Sequence, residues 1–382
     1  MPTAFPTASF EKKATPFYFY DTALLRKTLL TVTTLARKHD FDIHFALKAN
    51  ANPRILDEVK AAGLGVDCVS GNEVRAALEH GFEPKKIVYA GVGKADWEIN
   101  LALDADIECF NVESIPEMEV INELACRKGK VADIALRINP NVDAHTHQYI
   151  TTGLEENKFG IGLWEVESAA FKAQSLSNIN LVGIHFHIGS QITDMGAFQA
   201  LATRINELQK WFETNKIHLS VINLGGGLGI DYEHPDQCPI PDFEAYFETF
   251  AKHLELRDSQ RVHFELGRSI VGQCGSLITR VLYVKKGQKK QFAVVDAGMN
   301  NLIRPALYHA YHKIENISSQ LPTQKYDVVG PVCESSDCFG KEVVLPETSR
   351  GDIIAIRSAG AYGEIMASRY NLRDFADSYF SE

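Results

Sequence analysis

A lysine closes an apolar run in HFALKANANP (44–53). Phe45-Ala46-Leu47 reads as the end of a buried strand, and Lys48 stands where Asn50, Asn52 and Pro53 break the chain into a loop. Alone, such a lysine reads as a solvated head on an apolar stem. A glycine run, LGGGLG (224–229), follows another apolar run, and Gly226 and Gly227 let backbone amides approach an anion closely. By itself the run reads more readily as a tight turn feeding a helix. Arg268, in ELGR (265–268), supplies a cation on the neighbouring loop and turns the reading toward an anion, with Ser190 adding a hydroxyl. The spacing is not a Walker motif, since no Lys-Ser/Thr follows, and no long helix opens as a dinucleotide fingerprint requires. A phosphate site and an amine together match the needs of pyridoxal 5'-phosphate, whose aldehyde condenses with a lysine and whose ring nitrogen needs a charge partner. Glu265 supplies that partner: a carboxylate there keeps the pyridine protonated and strengthens it as an electron sink. An imidazole can pack on the ring face, and HFH (185–187) offers two. Alternation along a strand puts His185 and His187 on one face, so the pattern does not choose between them.

Chemistry of this kind needs a scaffold that gathers residues far apart in sequence. Apolar runs at 41–47, 63–70, 86–91, 106–113, 132–140, 181–189, 220–227 and 261–268 alternate with helix-like segments, three of which end in Gly. Eight such units predict an α/β fold, a (β/α)8 TIM barrel spanning 22–268, in preference to a doubly wound sheet. The unusual residues then collect at the strand ends where barrel chemistry sits: Lys48, Asp67, Arg137, Asn139, His185, His187, Gly226, Gly227, Glu265, Gly267 and Arg268. After Arg268 short strands and turns replace the alternation, which predicts a second, mainly β domain, a barrel or sandwich, at 269–382. FYFYD (17–21) reads as a strand that joins residues 1–21 to it. The segment 141–160 is long for a barrel connection, as functional loops often are.

In the β-rich part, GPVCESSDC (330–338) sets Cys333 and Glu334 behind a Gly-Pro turn. No second Cys/His pair completes a tetrahedral set with Cys333 and Cys338, so no metal site is read there. Arg304 and Tyr308 lie four apart, on one face if that segment is helical, and small residues surround Tyr362. The formal net charge of -10, with no basic block to outweigh it, argues against a nucleic-acid partner. No apolar stretch is long enough for a membrane span, and no secretory signal is read at the N-terminus. Seven scattered cysteines point to a reducing compartment, best the cytoplasm.

Nine blocks in series, ALKANANPRIL, VDCVSGNE, RINPNVDAHTHQYITTG…KFGI, HFHIGSQI, LGGGLGI, ELGR, RPALYHAYH, GPVCESSD and AGAYG, resemble the signature blocks of the pyridoxal-phosphate decarboxylases built on an alanine-racemase-like barrel (fold type III). The likeness runs from about Phe17 to Tyr370 and is closest to the diaminopimelate-decarboxylating family. It implies that Lys48 carries the cofactor, that His187 stacks on its ring, and that Ser190, Gly226, Gly227, Gly267 and Arg268 surround its phosphate. It further implies that Glu265 pairs with the ring nitrogen, that Tyr362 contacts cofactor and substrate, and that Cys333 reprotonates the product. Arg268, Arg304, Tyr308 and Glu334 match substrate-holding positions. The implied reaction converts meso-2,6-diaminopimelate to L-lysine and carbon dioxide, the last step of lysine biosynthesis. The implied assembly is a homodimer in which Cys333 and Glu334 act in trans. A polyamine-type decarboxylase is the nearest rival, but two arginines would repel a substrate ending in a bare ammonium. A racemase would favour a weaker sink than Glu265 provides. A non-catalytic pyridoxal carrier needs neither the arginines nor Cys333-Glu334. One departure is visible: Leu266 stands where the family usually has proline.

Overall fold

A computed structural model describes residues 5–142 and 158–382. Most of the 141–160 segment therefore lies outside the described residues. The chain divides into two compact units. One comprises Leu29–Gly229 and Asp242–Gly267; the other comprises Met1–Thr28, Ile230–Pro241 and Arg268–Glu382.

The first unit is the closed eight-stranded parallel barrel that the alternation predicts. Its strands are Phe41–Ala46, Gly65–Cys68, Ile87–Tyr89, Cys109–Val112, Ala132–Arg137, Ile179–His185, Val221–Asn223 and Arg261–Leu266. Closure is made by the first and last, which pair from Phe41↔Val262 to Phe45↔Leu266. Leu266 is thus the final residue of the last strand and pairs with Phe45. Three of the helices begin where side-chain oxygens replace missing backbone acceptors. Asn52 caps Pro53–Ala61, Ser70 caps Gly71–Glu79 and Ser114 caps Ile115–Arg127. All three stop at a glycine with positive φ, Gly63, Gly81 and Gly129, where the left-handed turn costs no Cβ clash.

The second unit is mainly sheet. Ile314–Asn316, Ile353–Ile356, Gly275–Lys286, Gln291–Val295, Thr323–Val329 and Cys338–Pro346 lie side by side in that order. Phe17–Tyr20 pairs antiparallel with Gly275–Lys286 and parallel with Asp377–Phe380, and Phe10, Phe17, Phe19 and Ile278 pack into one apolar cluster. The segment that carries Arg304 and Tyr308 is helical for little more than one turn. Only Arg304–Tyr308 is helical, because His309 turns into the left-handed region at φ 52°. Among the described residues no helix is long and apolar enough to cross a membrane.

Candidate active site

The barrel interior carries a carboxylate held by side chains from three other strands. Asn111 and Asn223 donate Nδ2–H to Glu265 Oε1 at 3.0 and 2.8 Å, and His185 Nε2 lies 2.9 Å from Oε2. An ionised carboxylate only accepts, so His185 carries its proton on Nε2. Burial alone would raise the Glu265 pKa. The His185 contact, the Lys48 charge and the Asn223 bond outweigh it and hold the group well below the usual carboxylate range. Lys48, on the turn just after the first strand, reaches Asp67 Oδ2 with its Nζ at 2.9 Å. Asp67 is fully buried, its Oδ1 has no hydrogen-bond partner, and burial together with the Glu265 charge pushes its pKa up against the pull of Lys48. Lys48, Asp67 and Glu265 therefore share one field at one end of the barrel interior.

The two histidines of HFH separate. The strand ends at His185, so alternation no longer governs His187. His185 belongs to Glu265, whereas His187 accepts the Gly226 N–H on Nδ1 at 3.3 Å. Burial, Lys48 and Arg137 drive the His187 pKa well below its ordinary value, which leaves a neutral ring. The loop bearing Ser190 lies against the glycine run: Ile192 N–H donates to Gly227 O, and Gly229 N–H to Ile192 O, both at 2.9 Å. A Cβ on Gly226 would sit 2.0 Å from Glu265 O, and one on Gly225 would sit 2.1 Å from Phe186 O. Only glycine permits so close an approach between these loops. Gly267 lies beside the Lys48 turn, where a Cβ would come within 2.8 Å of the Ala49 methyl. Arg137 is buried and paired with Glu113.

In the sheet-rich unit the predicted arginines also meet. Arg268 and the buried Arg304 both donate to the hydroxyl of Tyr232, Arg304 at 3.4 Å. Arg268 lies 5.0 Å from the Tyr362 ring, and Arg304 lies 5.7 Å from the Tyr308 ring on the same short helix. Tyr362 takes φ 56°, an uncommon backbone state for a side chain of its size. His312 Nε2 accepts from Arg304 Nε at 3.3 Å, so its Nδ1 must donate to Arg357 O. Burial, with the Arg304 and Arg268 charges, pushes its pKa down to about 3. Cys333 and Glu334 stand on an exposed turn, where Cys333 N–H donates to Asn371 Oδ1 and Glu334 accepts from the Tyr370 hydroxyl. Asp337 organises that turn by accepting from Met299 N and Val332 N, each at 2.7 Å.

Asn111, Asn223 and Tyr232 are the residues that sequence reasoning did not assign, and His185 stood only as an alternative to His187. An asparagine inside an apolar strand run, in CFNVE and in INLGG, was the available signal for two of them. The donors present suit pyridoxal phosphate: an amine, a carboxylate fixed in its ionised form, a neutral imidazole and a backbone cradle. Residues 23–272 match the family model of the pyridoxal-dependent decarboxylase, pyridoxal binding domain. The diaminopimelate decarboxylase of Bacteroides thetaiotaomicron is 58% identical over 99% of this chain and 98% of its own length. That of Neisseria meningitidis serogroup B (strain MC58) is 42% identical over 96% and 87%. The crystal structure of Helicobacter pylori diaminopimelate decarboxylase complexed with L-lysine superposes with a TM-score of 0.93 at 41% identity, covering 98% of this chain and 94% of that one. The chain belongs to the pyridoxal-dependent decarboxylases and, among them, to the diaminopimelate decarboxylase family.

Proposed function

We propose that this chain decarboxylates meso-2,6-diaminopimelate to L-lysine and carbon dioxide, the last step of lysine biosynthesis. It is a pyridoxal-phosphate-dependent amino-acid decarboxylase. The observation that carries the reading is Glu265, kept ionised by three donors at the barrel end where Lys48 projects. When bound, the cofactor accepts the electron pair left behind by the departing carboxylate. Lys48 would anchor it through Nζ, Glu265 would hold the proton of its ring nitrogen, and the neutral His187 would pack on its face. Ser190, Gly226, Gly227, Gly267 and Arg268 hold its phosphate, and Tyr362 contacts it. Asp67, 2.9 Å from Nζ, would position that amine.

Specificity comes from the distal end of the substrate, which carries a carboxylate and an ammonium. Arg268 and Arg304, spaced by Tyr232, fork onto the carboxylate, with Tyr308 and Tyr362 beside them. Glu334 takes the ammonium, and the exposed Cys333 thiol delivers a proton to the carbon that lost its carboxylate. In a homodimer these two residues act in the partner's site, and the enzyme works in the cytoplasm. The test is carbon dioxide release from meso-diaminopimelate, ornithine and lysine, with and without added pyridoxal phosphate. Turnover of diaminopimelate alone, dependent on the cofactor, is expected; equal turnover of ornithine overturns the specificity argument.

A further inference from the structure

Two buried imidazoles and a carboxylate converge in the barrel interior, apart from the catalytic end. His263 lies two residues before Glu265 on the last strand, hence on the same interior face but closer to the strand's N-terminal end. Asp42 of the first strand pairs in register with it. His44 Nε2 lies 3.1 Å from Glu108 Oε2, and His263 Nε2 lies 3.8 Å from Glu108 Oε1. One ligand atom from each of the three residues falls within 4.8 Å of the others. Donors about 2.1 Å from a tetrahedral zinc ion stand about 3.4 Å apart, and the two carboxylate–imidazole distances bracket that spacing.

Two further features point to a ligand. The converging Nε2 of His263, 1% exposed, is buried without a hydrogen-bond partner. Such orphaned groups are rare, and an ion is one of their ordinary explanations. A cavity of about 180 Å³ lined by Asp42, His44, Gly65, Lys86, Glu108 and Arg261, among others, opens beside the cluster and gives an ion a way in. Gly65 makes the His44 pose possible, since a Cβ there would lie 2.5 Å from His44 Cδ2.

We propose that His44, Glu108 and His263 form a site for a divalent zinc-class ion that staples the seam between the first and last barrel strands. Imidazoles select such an ion over calcium or magnesium, which prefer all-oxygen shells. Arg261 is its competitor. The guanidinium, half exposed, donates to Glu108 Oε1 at 3.0 Å and to Asp42 Oδ2 at 2.9 Å. When it swings out, Asp42 Oδ2, now 3.7 Å from His263 Nε2, becomes the fourth ligand. Neither Nδ1 is braced by a protein acceptor, which keeps the affinity below that of a fully supported site. The sequence alone carries no such signal, because positions 44, 108 and 263 share no short spacing.

The test strips the pyridoxal-loaded enzyme with a chelator and titrates zinc chloride against a chromophoric competitor, with melting temperature followed in parallel. The native chain is expected to bind one zinc and to melt higher with it. His263→Ala should weaken binding by more than about 100-fold, beyond what an outer-shell change costs. Arg261→Ala, on a half-exposed side chain, should bind zinc more tightly than the native chain. Cobalt substitution should give tetrahedral bands without a sulfur charge-transfer band, which separates this site from the cysteines. Equal binding by the native chain and His263→Ala overturns the proposal. Should His263→Ala fail to fold, Arg261→Ala decides alone: tighter binding supports the site, and unchanged or weaker binding rejects it.

Discussion

Glu265→Gln removes a charge while keeping a shape, and its consequences can be worked out atom by atom. The native carboxylate takes Asn111 and Asn223 on Oε1 and His185 on Oε2. A glutamine keeps both asparagines by presenting its carbonyl oxygen to them, and its NH2 then faces His185 Nε2. The imidazole accepts that bond only by moving its proton to Nδ1, which is buried with no partner. One orphaned donor costs about 1–3 kcal/mol, so the fold survives. The chemistry suffers more. A hydrogen bond to a charged group contributes about 1.5–3 kcal/mol, and losing that share at the ring nitrogen lowers kcat roughly 10- to 150-fold. The assay is initial carbon dioxide release from diaminopimelate at saturating pyridoxal phosphate, with melting recorded beside it. Asn111→Leu is the control, because it deletes one donor and leaves the charge, and its kcat should fall much less. If Glu265→Gln leaves kcat unchanged, or if Asn111→Leu is equally damaging, the charge-based reasoning fails.

Lys48→Ala and Cys333→Ala should each be inactive, and mixing them with subunit exchange should restore about a quarter of native activity, as random pairing of shared sites requires. No recovery means that Cys333 does not act across a dimer. Gly226→Ala forces a methyl against Glu265 O, where the Cβ position lies 2.0 Å away, and should cost about 1–3 kcal/mol by overpacking. An unchanged melting temperature would contradict the close approach of those loops. His312 is held neutral, with its pKa pushed down to about 3, so the unfolded chain takes up a proton on this group before the folded one does. Its contribution is complete above the unfolded value near 6.5 and is lost as pH falls toward 3, about 2 kcal/mol between pH 7.5 and 5. Urea unfolding at those two pH values should show this loss in the native chain and a smaller one in His312→Gln.

Barrel order was legible because the elements announce themselves locally, through apolar runs and glycine stops at 63, 81 and 129. Lys48, Glu265 and the glycine run stood out because charged and flexible residues break apolar strands at their ends. What joins them did not stand out. Asn111 and Glu265 are 154 residues apart and meet only because the barrel closes. The choice between His185 and His187 turned on where the strand stops, and local alternation does not encode that. Tyr232 lies in a loop whose sequence gives no hint that two arginines will share its hydroxyl. The condition that Arg304 and Tyr308 share a helix is met for one turn only, because the backbone turns away at His309.

Asn223 has one more consequence. Its Nδ2 grips Glu265 and its Oδ1 takes the Gly225 N–H at 2.9 Å, so a single amide yokes the glycine loop to the carboxylate. Tugging one end moves the other. With the phosphate on that loop, as proposed, an unphosphorylated vitamer should lose alignment at its far edge as well as grip at its near one.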